Sequence, residues 1–135
     1  MSKLIVFVDD EPSFIDALIA GLEGRNYECK HFSDMSSALK FINSSNVSLV
    51  VTDIMMPSGV DFPQVDSSET GFFLIEKLLE KKTSFPIICL SVIGDQEKIQ
   101  KLKRKNVLYL RKGETPLETA MKLIESKIKG VYSSE

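Results

Sequence analysis

The chain has 135 residues, of which 43% are hydrophobic and 27% are charged, and its formal net charge is -2. This length suits a single domain, and this balance excludes both a disordered tail and a polycation that would seek nucleic acid. The first apolar run, 4–8, ends at two acids and is too short for a signal peptide or a membrane span. We therefore expect a cytoplasmic globular domain that neither enters a membrane nor binds nucleic acid directly.

Strand and helix signals alternate along the chain without a linker or a repeat. Short apolar, β-branched runs predict strands at 4–8, 27–32, 49–52, 87–90 and 107–110. Apolar residues at helical spacing predict helices after 11–13, after 33–36, from about 70, over 95–105 and after 115–118. Successive β-α units imply right-handed crossovers and helices on both sheet faces. The predicted fold is α/β, a doubly wound five-stranded parallel sheet of the flavodoxin-like (βα)5 type over 1–129, followed by a flexible tail at 130–135.

Helix starts and cysteines give finer predictions. Ser33 or Ser36 is expected to cap the second helix. The run Thr-Pro-Leu-Glu at 115–118 predicts a capping box with proline at the first helical position. Cys29 and Cys89 both fall inside predicted strands, so we expect small buried hydrophobes rather than a disulfide or a metal pair.

Polar side chains follow the predicted strands where each strand ends. Asp9 and Asp10 come directly after the first strand, and Asp53 closes the third. Ser91 ends the fourth strand, and Lys112 follows the fifth. Parallel strands bring their carboxyl ends to one edge, which is where open α/β sheets bind ligands. We therefore expect these side chains to meet at a single site.

The chemistry of this site follows from its charges. Three carboxylates in one place repel each other unless a cation joins them or some of them are protonated. An open site of oxygen ligands suits Mg²⁺, and one such ion together with Lys112 would neutralise the three acids. A phosphoryl donor could then approach, with one carboxylate as the nucleophile and Lys112 and Ser91 holding phosphoryl oxygens.

Over nearly all its length the chain resembles the receiver domain of two-component response regulators. The resemblance rests on an ordered set of residues: the pair Asp9-Asp10, Asp53 within Thr-Asp-Ile-Met-Met-Pro, Ser91, Tyr109 and Lys112. Each match is weak by itself, but their order on alternating units is specific. The resemblance implies that the chain is a phosphorylatable signalling domain and not an enzyme with a separate substrate.

The resemblance also implies roles for the acidic residues and the lysine. Asp53 would be the phosphoacceptor, and Lys112 would bind the phosphoryl group. Asp10, Asp53 and the Met55 carbonyl would bind Mg²⁺, while Asp9 would assist through water.

Signal output is implied by the same family. Ser91 and Tyr109 would form the conformational switch, and a downstream protein would bind the surface from Asp95 to Lys129. The phosphoryl donor would be a histidine kinase or a histidine phosphotransfer protein. Because the predicted fourth helix is rich in lysine, we expect the partner's surface to be acidic.

This chain departs from the family pattern in the loops around the site. Gly113 follows Lys112 where the family usually has proline. Segment 58–70 is longer than the usual turn into the third helix, and two interpretations stay open: a surface insertion or partner contact, or a lid over the site. Met55 and Ile93, two positions beyond the acceptor and the switch hydroxyl, are both apolar and cannot orient water, so slow dephosphorylation is expected.

Two other functions compete with this interpretation. A haloacid dehalogenase-type aspartyl phosphatase also uses a strand-end aspartate, but it needs a second acid where this chain has Met55. A nucleotide-binding α/β domain is disfavoured because no glycine-rich turn follows the first strand. The single histidine, His31, is expected to be an exposed strand residue rather than a phosphate carrier.

Overall fold

The computed structural model describes residues 3–81, 83–92 and 95–130, so most of the predicted tail lies outside the described residues. The elements in chain order are β1 Leu4–Val8, α1 Pro12–Glu23, β2 Glu28–Phe32, α2 Met35–Asn43, β3 Leu49–Thr52, α3 Thr70–Glu80, β4 Ile87–Ser91, α4 Gln96–Arg104, β5 Leu108–Arg111 and α5 Leu117–Lys129. The strands form one 5-stranded parallel sheet in the order β2-β1-β3-β4-β5. This confirms the predicted doubly wound, flavodoxin-like fold. In the described ranges, no helix is long and apolar enough to cross a membrane.

The core lies on both faces of the sheet because alternate residues of each strand point to opposite sides. On β1, Val6 and Val8 face the apolar sides of α2, α3 and α4, while Ile5 and Phe7 face those of α1 and α5. These four side chains have no exposed surface. Burial of each stabilises the fold by roughly 1.5–3 kcal/mol, and this two-sided burial explains why β1 is a continuous apolar run.

The start of α2 differs from the prediction. Asp34 is the N-cap, and its side chain accepts a 2.8 Å hydrogen bond from the Ser37 main-chain N–H. The prediction of Ser33 or Ser36 as the cap is therefore wrong. Ser36 lies in the first turn instead, where its hydroxyl forms hydrogen bonds with the main chain of Ser58 and Asp61.

The start of α5 differs as well. Pro116 is the N-cap residue, and no side chain caps the helix, so the predicted capping box is wrong. The Glu118 carboxylate does not turn back to the helix start, because it lies 2.9 Å from the Arg25 guanidinium beyond the end of α1. An ion pair with a residue distant in the chain thus takes the place of a local cap.

Gly71, in the first turn of α3, lies against the end of β3. Its N–H donates a 2.8 Å hydrogen bond to the Ile54 carbonyl. A methyl group at Gly71 would overlap the Asp53 carbonyl oxygen and lie 2.5 Å from the Ile54 α carbon. Glycine therefore allows α3 to begin close to the strand end that carries Asp53.

We expect Gly71→Ala to lower the free energy of unfolding by roughly 1–3 kcal/mol, because a methyl group forced against rigid backbone overpacks the site. Urea unfolding followed by circular dichroism measures this. Gly24→Ala is the matched control: Gly24 has an ordinary helical φ of -64°, and its added methyl would meet its nearest atoms at 3.4 and 3.5 Å. Equal losses in the two variants would contradict the account.

The cysteines are free thiols in different surroundings. Cys89 on β4 is buried, as predicted, while Cys29 on the edge strand β2 is only partly buried. Burial raises the pKa of the Cys29 thiol to about 12, and the charges of Glu23 and Glu28 act in the same direction.

We expect Cys29 to react slowly with iodoacetamide because the thiolate is the reactive form. At about pH 8 a thiol with this pKa is ionised roughly once in 10,000 molecules, against about a quarter for a free cysteine. Native-state alkylation followed by peptide mass mapping should be more than about a hundredfold slower than in urea, and should accelerate as the pH rises. Equal rates in the two states would refute this.

Candidate functional site

The acidic cluster is created by the register of the two central strands. Val8 on β1 pairs with Thr52 on β3, so Asp9 and Asp53 follow neighbouring strand ends. Main-chain hydrogen bonds fix both residues: Asp53 N–H donates to the Val8 carbonyl at 2.9 Å, and Asp9 N–H to the Phe32 carbonyl at 3.0 Å. The side chains of Asp9 and Asp53 are buried, whereas Asp10 is exposed.

Lys112 bridges the two buried carboxylates. Its Nζ lies 2.6 Å from Asp9 Oδ2 and 2.9 Å from Asp53 Oδ2, and only 7% of its side chain is exposed. Glu11 Oε1 lies farther from the same nitrogen, at 3.7 Å. The ammonium compensates charges that would otherwise be buried unpaired, which is strongly destabilising in proteins.

The cluster shifts the pKa values of its members. Burial raises the pKa of Asp9, and the Lys112 ammonium and the Glu11 main-chain N–H only partly offset this effect. Burial alone would lower the pKa of Lys112, but the hydrogen bonds and charges of Asp9 and Asp53 outweigh it and raise the pKa above its ordinary value. Lys112 therefore remains charged at neutral pH.

Asp53 faces a cavity at the carboxyl edge of the sheet. The Ile54 N–H donates a 2.6 Å hydrogen bond to Asp53 Oδ1 and, together with the Lys112 contact at Oδ2, sets the orientation of the carboxylate. The cavity has a volume of about 430 Å³. Its lining residues are Asp10, Glu11, Asp53, Met55, Met56, Pro57, Ser67 and Val92. A group of phosphate size fits this space.

The residues present fit a divalent cation. Asp9, Asp10 and Asp53 each offer a carboxylate oxygen, and these oxygens lie within 4.8 Å of one another. Asp9 Oδ2 is buried, and it is ion-paired with the Lys112 ammonium at 2.6 Å. An oxygen-only donor set suits Mg²⁺.

The expected switch residues lie at the adjoining strand ends. Ser91, the last residue of β4, has no exposed surface. Tyr109 on β5 is partly buried, and its hydroxyl donates a 3.3 Å hydrogen bond to the Ser91 carbonyl. Burial raises the pKa of the Tyr109 hydroxyl, so it is protonated and able to donate at neutral pH. Ile93 lies outside the described residues.

Gly113 accounts for the first departure from the family pattern. Its φ of 82° lies in the left-handed region, which proline cannot adopt. The Lys112 N–H donates a 2.9 Å hydrogen bond to the Ser91 carbonyl, so the lysine is held at the sheet edge directly before this turn. The turn after β5 therefore has a backbone conformation that proline at position 113 could not form.

The first half of segment 58–70 packs on α2. Ser36 Oγ donates to the Ser58 carbonyl at 3.1 Å and accepts from the Asp61 N–H at 3.0 Å. Gly59 adopts a φ of 97°, and a methyl group there would meet the Ser36 side chain. The sequence did not reveal this function of Ser36, because its hydroxyl pairs with residues distant in the chain.

The second half of the segment lies between the cavity and α4. Glu69 forms a 2.6 Å ion pair with Lys98 on α4. Together with α3 and α4 it borders a groove of about 430 Å³ with Phe72 and Phe73 in its wall. Ser67 reaches the cavity of Asp53 itself. The segment thus lies beside the cavity of Asp53 and also contacts α4.

Sequence reasoning missed some neighbours of the site. His31 is partly buried rather than exposed, and its Nε2 lies 2.6 Å from the Asp9 carbonyl oxygen. The Ile54 N–H orients the Asp53 carboxylate, and Gly71 lets α3 approach the end of β3; both effects depend on the main chain rather than on a side chain. In the sequence, only the glycine inside a helical pattern could have indicated such a contact.

The sequence of this chain matches known proteins. The family model for the response regulator receiver domain matches residues 5–122. Over 91% of its length, the chain is 31% identical to regulatory protein VanRc of Enterococcus gallinarum and 33% identical to response regulator GtcR of Aneurinibacillus migulanus. These alignments cover 49% and 47% of the two relatives, so the chain spans about half the length of the curated relatives it matches.

Solved structures share the fold. A receiver domain protein of Methanospirillum hungatei JF-1 superposes with a TM-score of 0.80 at 19% identity and full coverage of both chains (100%). The receiver domain of an HD domain-containing protein from Pseudomonas fluorescens Pf-5 gives 0.79 at 21% identity, covering 98% of this chain and 99% of that one. The family match favours a signalling domain over an aspartyl phosphatase or a nucleotide-binding domain. The chain belongs to the receiver domains of two-component response regulators.

Proposed function

We propose that Asp53 accepts a phosphoryl group from a phosphohistidine on a histidine kinase or a histidine phosphotransfer protein. One observation carries this proposal: the Asp53 carboxylate is oriented by the Ile54 N–H and Lys112 and faces an open cavity. An Asp53 oxygen attacks phosphorus, the phosphorus–nitrogen bond breaks, and its electron pair remains on the imidazole. The product is an acyl phosphate on Asp53.

The other residues of the cluster neutralise and hold the phosphoryl group. Lys112 already contacts Asp53 Oδ2, so a small movement of its ammonium takes it to a phosphoryl oxygen. Asp10, Asp53 and the Met55 carbonyl would hold Mg²⁺, and Asp9 would assist through a water molecule. The ion, when bound, supplies positive charge that compensates the carboxylates and the incoming oxygens. The domain would catalyse only its own phosphorylation and slow dephosphorylation.

The signal would leave through the switch. Phosphorylation offers the Ser91 hydroxyl a new acceptor, and movement of Ser91 would alter the contact that its carbonyl makes with Tyr109. Tyr109 would then be buried more deeply, and the surface from Asp95 to Lys129 would shift between two arrangements. A downstream protein with an acidic surface, in the cytoplasm, would bind the active arrangement.

Acetyl phosphate with Mg²⁺ should give an acid-stable, base-labile adduct on Asp53, because an acyl phosphate has that lability. Intact-protein mass spectrometry and peptide mapping measure the yield and the position. Asp53→Asn should abolish labelling, and chelation of the metal should do the same because the phosphoryl group then meets uncompensated carboxylates.

The matched control is Asp61→Asn. Asp61 is an exposed carboxylate in segment 58–70, outside the cavity, so this variant should label as well as wild type. If Asp53→Asn labels as strongly as Asp61→Asn, the proposed acceptor is wrong.

A further inference from the structure

We propose that the Ser67 hydroxyl binds the water molecule that hydrolyses the acyl phosphate on Asp53. This inference rests on the proposed function of Asp53 as the acceptor. Ser67 belongs to segment 58–70, and it lines the same cavity as Asp53. The segment would thus set the lifetime of the phosphorylated state.

The position of Ser67 is fixed by its main chain. The Met56 N–H donates a 3.1 Å hydrogen bond to the Ser67 carbonyl, which ties residue 67 to the loop directly after Asp53. After Ser67 in the chain, Thr70 is buried at the start of α3, and the Gly71 N–H donates a hydrogen bond to the Ile54 carbonyl. These anchors hold Ser67 at the cavity rim while its side chain remains exposed.

Ser67 is chemically distinct among the residues of this cavity. The other lining side chains are the carboxylates Asp10, Glu11 and Asp53 and the apolar groups of Met55, Met56, Pro57 and Val92. Ser67 is therefore the lining side chain that can donate a hydrogen bond at neutral pH. Ser67 is exposed at the cavity rim, so its hydroxyl can reach water there.

The neighbouring rim residues offer no such donor. The exposed side chains of Met55 and Val92 flank the cavity, with 48% and 58% of their surfaces accessible. Neither of these side chains can hydrogen-bond to a water molecule, and the ionised carboxylates can accept a hydrogen bond from water but cannot donate one. A hydroxyl both donates and accepts, so Ser67 can hold water without adding charge.

The reaction step is hydrolysis. The water oxygen attacks phosphorus, and the bond between phosphorus and the Asp53 oxygen breaks, with its electron pair returning to the carboxylate. The water proton passes to the departing phosphate or to solvent. Ser67 is neither consumed nor ionised. It restricts the position of the attacking water, which lowers the entropic part of the barrier.

The test measures decay of the phosphorylated protein after acetyl phosphate is removed. Ser67→Ala should lengthen the half-life roughly two- to tenfold, the rate equivalent of one lost hydrogen bond, while Ser67→Thr retains a hydroxyl and stays near wild type. The matched control is Ser68→Ala, because the Ser68 hydroxyl donates to Asp66 Oδ1 and does not line the cavity. Its half-life should equal that of wild type. Thermal unfolding of all three variants checks that the fold is intact.

Different results would overturn the two proposals. An unchanged half-life in Ser67→Ala, or equal lengthening in Ser68→Ala, refutes the role of Ser67 but leaves Asp53 as the acceptor. If wild type forms no adduct that depends on Asp53, the proposed function fails, and the role of Ser67 fails with it.

Discussion

The bridge from Lys112 to Asp9 and Asp53 is the interaction on which the site depends. Two carboxylates with 1% and 6% of their residue surface exposed would repel each other and lose hydration without a nearby cation. The ammonium contacts both at 2.6 and 2.9 Å and is itself nearly buried. Folding therefore assembles a site in which acidic and basic groups are already placed for phosphoryl chemistry. The stability of the site and its reactivity have the same origin.

The rest of the fold holds this bridge in place. The pairing of β1 with β3 sets Asp9 beside Asp53. The hydrogen bond from the Lys112 main-chain N–H to the Ser91 carbonyl holds the residue after β5 at the same sheet edge. Gly71 lets α3 begin against the Asp53 main chain. From this edge, β4 leads through Ser91 towards α4, which belongs to the surface proposed to bind partners.

Sequence patterns predicted what depends on local periodicity and strand order. Asp9, Asp10, Asp53 and Lys112 were placed together because parallel strands end at one edge. In the structure the three carboxylates lie within 4.8 Å of one another, and Lys112 contacts Asp9 and Asp53. Features that depend on distant pairing were not predictable. The Ser36 hydroxyl serves segment 58–70 instead of capping α2, and Glu118 binds an arginine instead of the helix start. In both cases a tertiary partner replaced a local one.

The pH dependence of stability in Lys112→Met tests the central claim most directly, with Lys112→Arg as the charged control. The variant loses the cation, so the already raised pKa of Asp9 should rise further. A carboxyl with a raised pKa in the folded state lowers stability as the pH rises from its unfolded-state pKa through its folded-state pKa. At about pH 7 we predict a loss of roughly 1–3 kcal/mol relative to wild type, below the cost for a fully enclosed pair because the cavity is open. The difference should shrink towards about pH 4 and on addition of Mg²⁺. A difference that is independent of pH and of Mg²⁺ would contradict the account.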